Sequence, residues 1–271
     1  MAKRATKRTG CRVACIGDLH CGHGAGLTPP DWQSGAWAGA RKARAVQAAQ
    51  AALWDEYARL AKEASADVLI VAGDAIDGPG KQTGEHITRD VVEQAAMAAE
   101  CIQAWRGATV FMAYGTPFHV SADGSDIERV VADLVKAREI GGHLYLDING
   151  VMFDVKHKVG SSSVPHGRHT ALARERLWQQ LWSEYGEPRG RCGDVLIRGH
   201  VHYHSVAGGA NWCAMTLPAL QGLGSKYGVR ECSGVVDWGL VIFDVDSDGR
   251  FAWRAHTVRG EGRSKATIVR G

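Results

Sequence analysis

The sequence predicts an α/β fold in which two packed, mixed β-sheets are flanked by helices. Three strand–loop–helix units in the first half predict a parallel sheet, and the second half is mostly β. With 271 residues, 45% of them hydrophobic, the chain can bury the core of one large domain or two small ones. We find no internal repeat and no low-complexity linker, so one domain with outer helices is the simplest architecture.

The first half alternates buried strands with longer amphipathic stretches. Apolar runs that each precede a polar motif predict three strands, at 12–17, 67–73 and 108–113. Residues 22–37, rich in Gly, Pro and Trp, predict an ordered loop. Apolar positions at helical spacing predict helices at 38–64, at 85–106 and from a Ser125-to-Glu128 capping box to Glu139. Functional loops are expected beyond the carboxyl ends of these strands.

The second half begins with a hairpin signal and ends with another hairpin. Asn149-Gly150 separates apolar runs at 143–148 and 151–156, which predicts a two-residue turn. A helix is predicted at 168–185 and a strand at 194–198. Two closing strands at 238–245 and 251–258 flank a turn over 246–249.

Composition and charge narrow the class of protein. The sequence predicts a basic flexible tail at residues 1–11, followed by a single domain at 12–271. The tail would be either a solubilising arm or a tether to a phosphate backbone. Five Lys and Arg residues fall in the first twelve positions, and removing them from the net charge of +3 leaves −2, which argues against a strongly basic nucleic-acid-binding body. No stretch suits a signal peptide or a membrane span. Seven cysteines without a Cys-x-x-Cys pair favour reduced thiols in the cytoplasm.

Five polar motifs, rich in carboxylate and imidazole groups, follow predicted strands in a fixed order. They are Asp18-Leu-His20, Gly73-Asp-Ala-Ile-Asp77, Gly115-Thr-Pro-Phe-His119, Lys156-His-Lys158 and Gly199-His-Val-His202. One such motif is a weak indication, but five in order are hard to ascribe to chance. A carboxylate can bridge two cations, and neutral imidazoles complete their coordination without excess negative charge. The set predicts two divalent cations that assist hydrolysis of a phosphate ester.

The order of these motifs resembles that of the calcineurin-like metallophosphoesterase superfamily over about residues 12–204. The resemblance implies a four-layer sandwich with a dinuclear centre that holds two divalent metal ions. Mn²⁺ is the first expectation, with Fe, Zn or Ni as alternatives. The implied ligands are Asp18, His20 and His202 for the first metal, Asp74 as the bridge, and His157 and His200 for the second.

The third motif departs from the superfamily pattern, in which Asn is followed by His. Thr116 takes the Asn place, Pro117 takes the His place, and His119 comes two residues later. We expect Thr116 to offer its hydroxyl as a weaker metal ligand, so that the second metal binds less tightly. We count His119 as catalytic, as general acid or phosphate contact, and group with it Asp77, which would orient the loop or a neighbouring imidazole.

The resemblance implies a hydrolase in which a metal-bound hydroxide attacks phosphorus. A phosphodiester in a nucleic acid or nucleotide is slightly favoured as substrate, because no separate cap domain is evident. A phosphomonoesterase, including a protein phosphatase, is the nearest alternative. The altered third motif also permits an inactive protein-binding scaffold, and a nucleic-acid-binding module with a structural metal is a further alternative.

Polar residues outside the five motifs have two interpretations each. His23 would face phosphate or lie at the surface. A second set would bind phosphate or a leaving group, or form a solvated loop that enters a helix; it comprises Ser161, Ser162, Ser163, His166, Arg168 and His169.

Overall fold

The computed structural model describes residues 10–33, 40–79, 85–117, 126–162, 164–186, 192–222 and 236–258. Residues 1–9 of the predicted tail lie outside these ranges, as do His119 and Ser163. The boundary predicted between tail and domain therefore stays a prediction.

The described residues form eleven strands and four α-helices. The strands are β1 (Cys11–Ile16), β2 (Val68–Val71), β3 (Thr109–Ala113), β4 (Glu139–Gly141), β5 (Leu144–Ile148), β6 (Val151–Val155), β7 (Val195–Arg198), β8 (Ser205–Gly209), β9 (Trp212–Thr216), β10 (Trp238–Val245) and β11 (Phe251–Val258). The helices are α1 (Ala40–Ala64), α2 (Val91–Gln103), α3 (Ile127–Leu134) and α4 (Arg168–Glu184). Within the described ranges, no helix has both the length and the apolar character needed to cross a membrane.

The strands make two mixed sheets, which confirms the predicted fold class. The six-stranded sheet has the order β11-β10-β1-β2-β3-β4, and β1 to β4 run parallel. The five-stranded sheet has the order β5-β6-β7-β9-β8, with β6, β7 and β9 parallel and an antiparallel strand at each edge. Both sheets therefore present carboxyl ends of parallel strands, where loops can carry functional groups.

Alternating side chains show four layers. On β1, Val13 and Cys15 pack in a core that joins the two sheets, whereas Ala14 and Ile16 pack with residues of α1, α2 and α3. On β7, Leu196 packs in a third cluster with α4. Successive side chains of a strand point to opposite faces, so each sheet has one face on the shared core and one under helices. This is the layer order that the resemblance to metallophosphoesterases implies.

Two predicted helices have different bounds in the structure. Helix α2 begins at Val91 rather than at 85, because Asp90 caps it by accepting a hydrogen bond from Val92 N at 2.8 Å. The prediction that the third helix reaches Glu139 is wrong. Helix α3 ends at Leu134, and Lys136 has a φ of 54°, a left-handed conformation that commonly terminates helices. Glu139 instead begins β4, a short strand parallel to β3.

Candidate metal centre

The residues predicted as ligands lie at the carboxyl ends of strands from both sheets. The six-stranded sheet supplies Asp18 and His20 after β1, Asp74 after β2 and Thr116 after β3. The five-stranded sheet supplies His157 after β6, and His200 and His202 after β7. The structure brings all seven side chains together where the two sheets meet, and Asp77 with them.

The first group of candidate ligands consists of Asp18, His20 and His202. One ligand atom from each lies within 4.8 Å of the others, and all three residues are buried. Nε2 of His202 is 3.2 Å from Nε2 of His20 and 3.3 Å from Oδ1 of Asp18. Two nitrogens and one oxygen thus face a common point, a donor set that suits a divalent transition metal.

The second group consists of Asp74, His157 and His200, whose ligand atoms also lie within 4.8 Å of one another. The Thr116 hydroxyl oxygen is in the midst of this group, 3.2 Å from Nε2 of His157 and 3.3 Å from Nδ1 of His200. Oδ2 of Asp74 lies 3.0 Å from Nε2 of His157 and 3.8 Å from Nε2 of His20. Asp74 therefore stands between the groups, where a bridging carboxylate would be.

The hydrogen bonds behind the imidazoles indicate that these side chains fit cations. Nδ1 of His157 is 2.7 Å from the carbonyl oxygen of Ala72, so Nδ1 must carry the hydrogen and donate it. In the neutral ring Nε2 is then a lone pair, and it faces the Asp74 carboxylate. Two buried acceptors that face each other are unfavourable unless a proton or a metal ion lies between them. The site thus meets the requirement for a metal in its ligands and in their outer contacts.

Protons compete with metal for the second group. Burial disfavours the charged form of His157, but the adjacent Asp74 carboxylate outweighs burial and raises the pKa of His157 to about 9. For His200, burial and then the charge of His157 lower the pKa below its usual value. A metal ion must displace the His157 proton, so we expect metal affinity to rise with pH.

Asp18 remains a carboxylate although it is completely buried. Burial favours the protonated form, yet His202 beside it holds the pKa of Asp18 below its usual value. Its two oxygens also accept hydrogen bonds from the backbone N–H of His200, at 3.0 and 3.1 Å. Asp18 therefore fixes the loop after β7 as well as serving as a candidate ligand.

Five of the six residues in the two groups have a left-handed backbone. Their φ angles are 51° for Asp18, 46° for His20, 51° for Asp74, 74° for His200 and 55° for His202. A non-glycine residue in this conformation costs roughly 1–2 kcal/mol. Backbone hydrogen bonds hold the strained loops together, from Asp18 N to Gly73 O and from His20 N to Asp74 O, both at 3.0 Å. Such concentrated strain is typical of functional sites.

Glu128 is a buried residue of the site that the motifs do not reveal. From α3 its carboxylate accepts hydrogen bonds from Ala75 N at 2.8 Å and Gly115 N at 2.5 Å. It thereby joins the loops that carry Asp74 and Thr116. Burial, and then repulsion by Asp74, raise the pKa of Glu128 to about 7. The sequence places Glu128 in a capping box, but the described cap contact comes from Asp126, which accepts from Glu128 N.

Gly115 is required where the loops after β2 and β3 approach each other. A Cβ atom at this position would overlap Oδ1 and the backbone nitrogen of Asp74. The close approach lets Thr116 N donate to Oδ1 of Asp74 at 2.6 Å. Gly115 thus leaves room for the Asp74 carboxylate, which Thr116 N then holds in place.

Asp77 lies against the first group, with Oδ1 at 3.0 Å from Nδ1 of His20. Burial would raise its pKa, but hydrogen bonds to His20 and His86 hold the pKa well below its usual range. His23 is buried rather than exposed. Its Nδ1 accepts from Ala25 N at 3.0 Å, and its Nε2 is 3.5 Å from Glu85.

The segment before α4 makes its described contacts with itself and with the five-stranded sheet. Arg168 places its guanidinium 4.1 Å from the ring centre of Tyr203. Nδ1 of His169 is 3.0 Å from the carbonyl oxygen of Val206, and Ser162 bonds to the backbone of Val164. His166 is exposed. These contacts support the interpretation as a surface loop entering a helix.

No protein-family model and no curated protein sequence matches the chain. Similar solved structures include an archaeal phosphodiesterase, with 11% identity over 90% of this chain and 99% of that one and a TM-score of 0.44. Vacuolar Protein Sorting 29 (Vps29) of Cryptosporidium parvum has 13% identity, coverage of 93% and 100%, and a TM-score of 0.46. Vps29 of Entamoeba histolytica complexed with Zn²⁺ has 14% identity, coverage of 91% and 98%, and a TM-score of 0.42. At these low identities and TM-scores, function has to be inferred from the site itself.

Proposed function

We propose that this chain, which resembles the calcineurin-like metallophosphoesterases in its motifs and fold, is a dinuclear metal-dependent phosphoesterase. The observation that supports the proposal most strongly is the pair of three-ligand groups with Asp74 between them. Structural metal sites usually hold one ion in a closed shell, whereas paired ions are typical of phosphoryl hydrolysis. A buried site with these donors has no evident purpose in a protein that binds no metal.

Each group would hold one divalent ion. When bound, two such ions supply Lewis acidity toward the phosphoryl oxygens and lower the pKa of water. Asp18, His20 and His202 would hold the first ion, and Asp74 would contact both. His157, His200 and the Thr116 hydroxyl would hold the second. His200 is the partly exposed member of the six, so substrate would approach on its side.

We propose a phosphodiester, in a nucleic acid or a nucleotide, as the favoured substrate. Within the described residues, every strand belongs to one of the two sheets and no separate cap covers the loops that carry the ligands. A site without a separate cap would suit an extended substrate. A phosphomonoester is the nearest alternative, and the assay below distinguishes the two.

His119 and Asp77 would assist catalysis in different ways. His119 would donate a proton to the leaving oxygen or contact the phosphate. Asp77 would act through His20, whose ring it orients by accepting a hydrogen bond from Nδ1.

We further propose Mn²⁺ as the native metal, with Fe, Zn or Ni as alternatives that the same ligands accept. The six described cysteines are free thiols, which is consistent with the reducing cytoplasm. Residues 12–271 would form one catalytic domain, and the basic residues of 1–11 a flexible tail.

Hydrolysis of two synthetic esters tests the proposal. With Mn²⁺, the full chain should hydrolyse bis-p-nitrophenyl phosphate faster than p-nitrophenyl phosphate. The His200→Ala variant should lose this activity, whereas His256→Ala, which changes a histidine on β11, should retain it. Turnover of the monoester alone would indicate a phosphatase. Equal activity in wild type and His200→Ala would refute a role for the centre in hydrolysis.

The third motif favours one second candidate, a protein-binding scaffold. Thr116 and Pro117 replace the Asn and His of the superfamily pattern, so a metal-loaded but inactive centre is consistent with the sequence. A chain that binds Mn²⁺ but hydrolyses neither ester, and that forms a tight complex with a protein, would establish this function instead.

A further inference from the structure

A histidine outside all five motifs, His86, has a buried side chain that lies behind the first group of candidate ligands. Its Nε2 is 2.8 Å from Oδ2 of Asp77, and Oδ1 of Asp77 is 3.0 Å from Nδ1 of His20. The side chains of His86 and Asp77 are only 5% and 13% exposed, so water competes little for these contacts. Imidazole, carboxylate and imidazole thus form a continuous series that ends at a candidate metal ligand.

The backbone holds His86 in this position. Residues His23 and His86 form an antiparallel bridge. On either side of His86, Gly24 N donates to Glu85 O at 2.8 Å and Ile87 N donates to Gly22 O at 2.7 Å. The segment before α2 is therefore fastened to the loop that follows His20. His86 reaches Asp77 from a fixed support.

We propose that His86 is a positioning residue that sets the metal affinity of the first group by holding Asp77 against His20. The inference rests on the proposed function only in taking Asp18, His20 and His202 as metal ligands. The 2.8 Å contact between Nε2 of His86 and Oδ2 of Asp77 holds that carboxylate in place, so that Oδ1 accepts the Nδ1 hydrogen of His20. Nε2 of His20 is then left as the lone pair that faces the metal.

The effect of His86 should be confined to one of the two groups. In the second group, the corresponding support of His157 is the carbonyl oxygen of Ala72, which accepts from Nδ1 at 2.7 Å. That oxygen belongs to the backbone next to β2 and does not depend on Asp77 or His86. Loss of an outer contact typically weakens metal binding by about 10–100-fold. Loss of His86 should therefore weaken the binding of the first ion by about this factor and leave the binding of the second ion unchanged.

Calorimetric titration of the metal-free full chain with Mn²⁺ tests the inference. His20→Ala and His157→Ala identify which binding step belongs to which group. His86→Phe keeps an aromatic ring but removes the polar contact with Asp77, and His86→Gln restores a polar group that can reach the carboxylate. The matched control is His143→Phe, because His143 also lies beside a buried carboxylate, 3.0 Å from Asp154. This pair is on the face of the five-stranded sheet that points away from the core shared by the two sheets. Thermal unfolding without metal measures any general loss of stability in each variant.

We expect His86→Phe to weaken the step assigned to His20 by about 10–100-fold and to change the other step by less than about threefold. His86→Gln should recover most of the loss, and His143→Phe should lower stability without changing either step. The inference would be overturned if His86→Phe weakened both steps equally or changed neither. It would also be overturned if His86→Gln did not recover the affinity, or if His20→Ala removed no binding step. If the expected pattern occurs in a chain that hydrolyses no phosphate ester, the proposed function fails and the role of His86 stands.

Discussion

His20 and His202 turn their Nε2 atoms toward each other at 3.2 Å, although they are separated by 182 residues in the sequence. Because Nδ1 of His20 points to Asp77, its Nε2 has no hydrogen while the ring is neutral. The pair is completed by Asp18 rather than by a solvent-exposed group. A cation shared by these three atoms would join two nitrogens and one carboxylate oxygen in a single stabilising contact.

Metal binding should therefore stabilise the fold. At a free Mn²⁺ concentration of 100 times the dissociation constant, each bound ion adds about 2.7 kcal/mol, and a gain of that size raises Tm by roughly 5–10 °C for a chain of this size. Differential scanning calorimetry after chelation and after Mn²⁺ addition measures this rise. The double variant His20→Ala/His157→Ala removes one ligand from each group and should lose it. An undiminished rise in that variant would mean that Mn²⁺ stabilises another part of the chain.

The Thr116 hydroxyl should contribute measurably to the second ion. Thr116→Val keeps the shape of the side chain and the backbone N–H that bonds to Asp74, but it removes Oγ1. This variant should bind the second ion about 3–10-fold more weakly. Thr116→Asn offers an amide oxygen and should bind the second ion more tightly than wild type. Mn²⁺ titration by calorimetry gives both values. Thr216→Val, which removes a buried hydroxyl that donates to Tyr203 O, is the matched control and should leave affinity unchanged. The same affinity in wild type and Thr116→Val would exclude the hydroxyl as a ligand.

Glu128 should make the stability of the metal-free protein depend on pH. The folded state holds the Glu128 proton up to about pH 7, whereas the usual pKa is 4.5. Its contribution is fully present below pH 4.5 and is lost as the pH rises through about 7, by up to about 3 kcal/mol. Urea unfolding with a chelator, at a series of pH values, measures the loss.

The matched variant for this experiment is Glu128→Gln, which cannot ionise. Histidines titrate in the same range in both proteins, so the difference between wild type and variant isolates Glu128. That difference should change with pH between about 4.5 and 7 and be constant below. A difference that is constant throughout would show that Glu128 is ionised in the fold and has an ordinary pKa.

A buried ion pair under α4 should govern stability without governing metal binding. Arg198 is 1% exposed and lies 2.6 Å from Asp154, which is 0% exposed. Arg198→Met would leave that carboxylate without its cation and should cost roughly 3–5 kcal/mol in urea unfolding. Arg250→Met breaks an exposed pair with Asp248 and should cost under about 1 kcal/mol. Mn²⁺ affinity should stay within about threefold of wild type in both variants. A larger change in Arg198→Met would mean that this ion pair also supports the metal centre.

The clustering of the candidate ligands could be predicted because each of them follows an apolar strand. Asp18, Asp74 and His157 directly continue buried runs, and parallel strands bring their carboxyl ends together, so local pattern and topology suffice. His86 and Glu128 could not be found in this way. Their contacts are made with Asp77 and with backbone N–H groups distant in sequence, and the only local signal at Glu128 is that of a helix cap. Strand β4 could not be predicted for a related reason. Its three residues form a strand by pairing with β3, and three residues are too few to show a periodic pattern.

The two groups also draw on both halves of the chain. Residues before 142 supply Asp18 and His20 to the first group but lack His202, and they supply Asp74 to the second but lack His157 and His200. A cut in the connection at 142–143 would leave two fragments, each with an incomplete set of ligands. Mn²⁺ would then hold the two fragments together by binding side chains from both. Recovery of a folded complex from the separated fragments would therefore measure metal occupancy of the centre without any substrate.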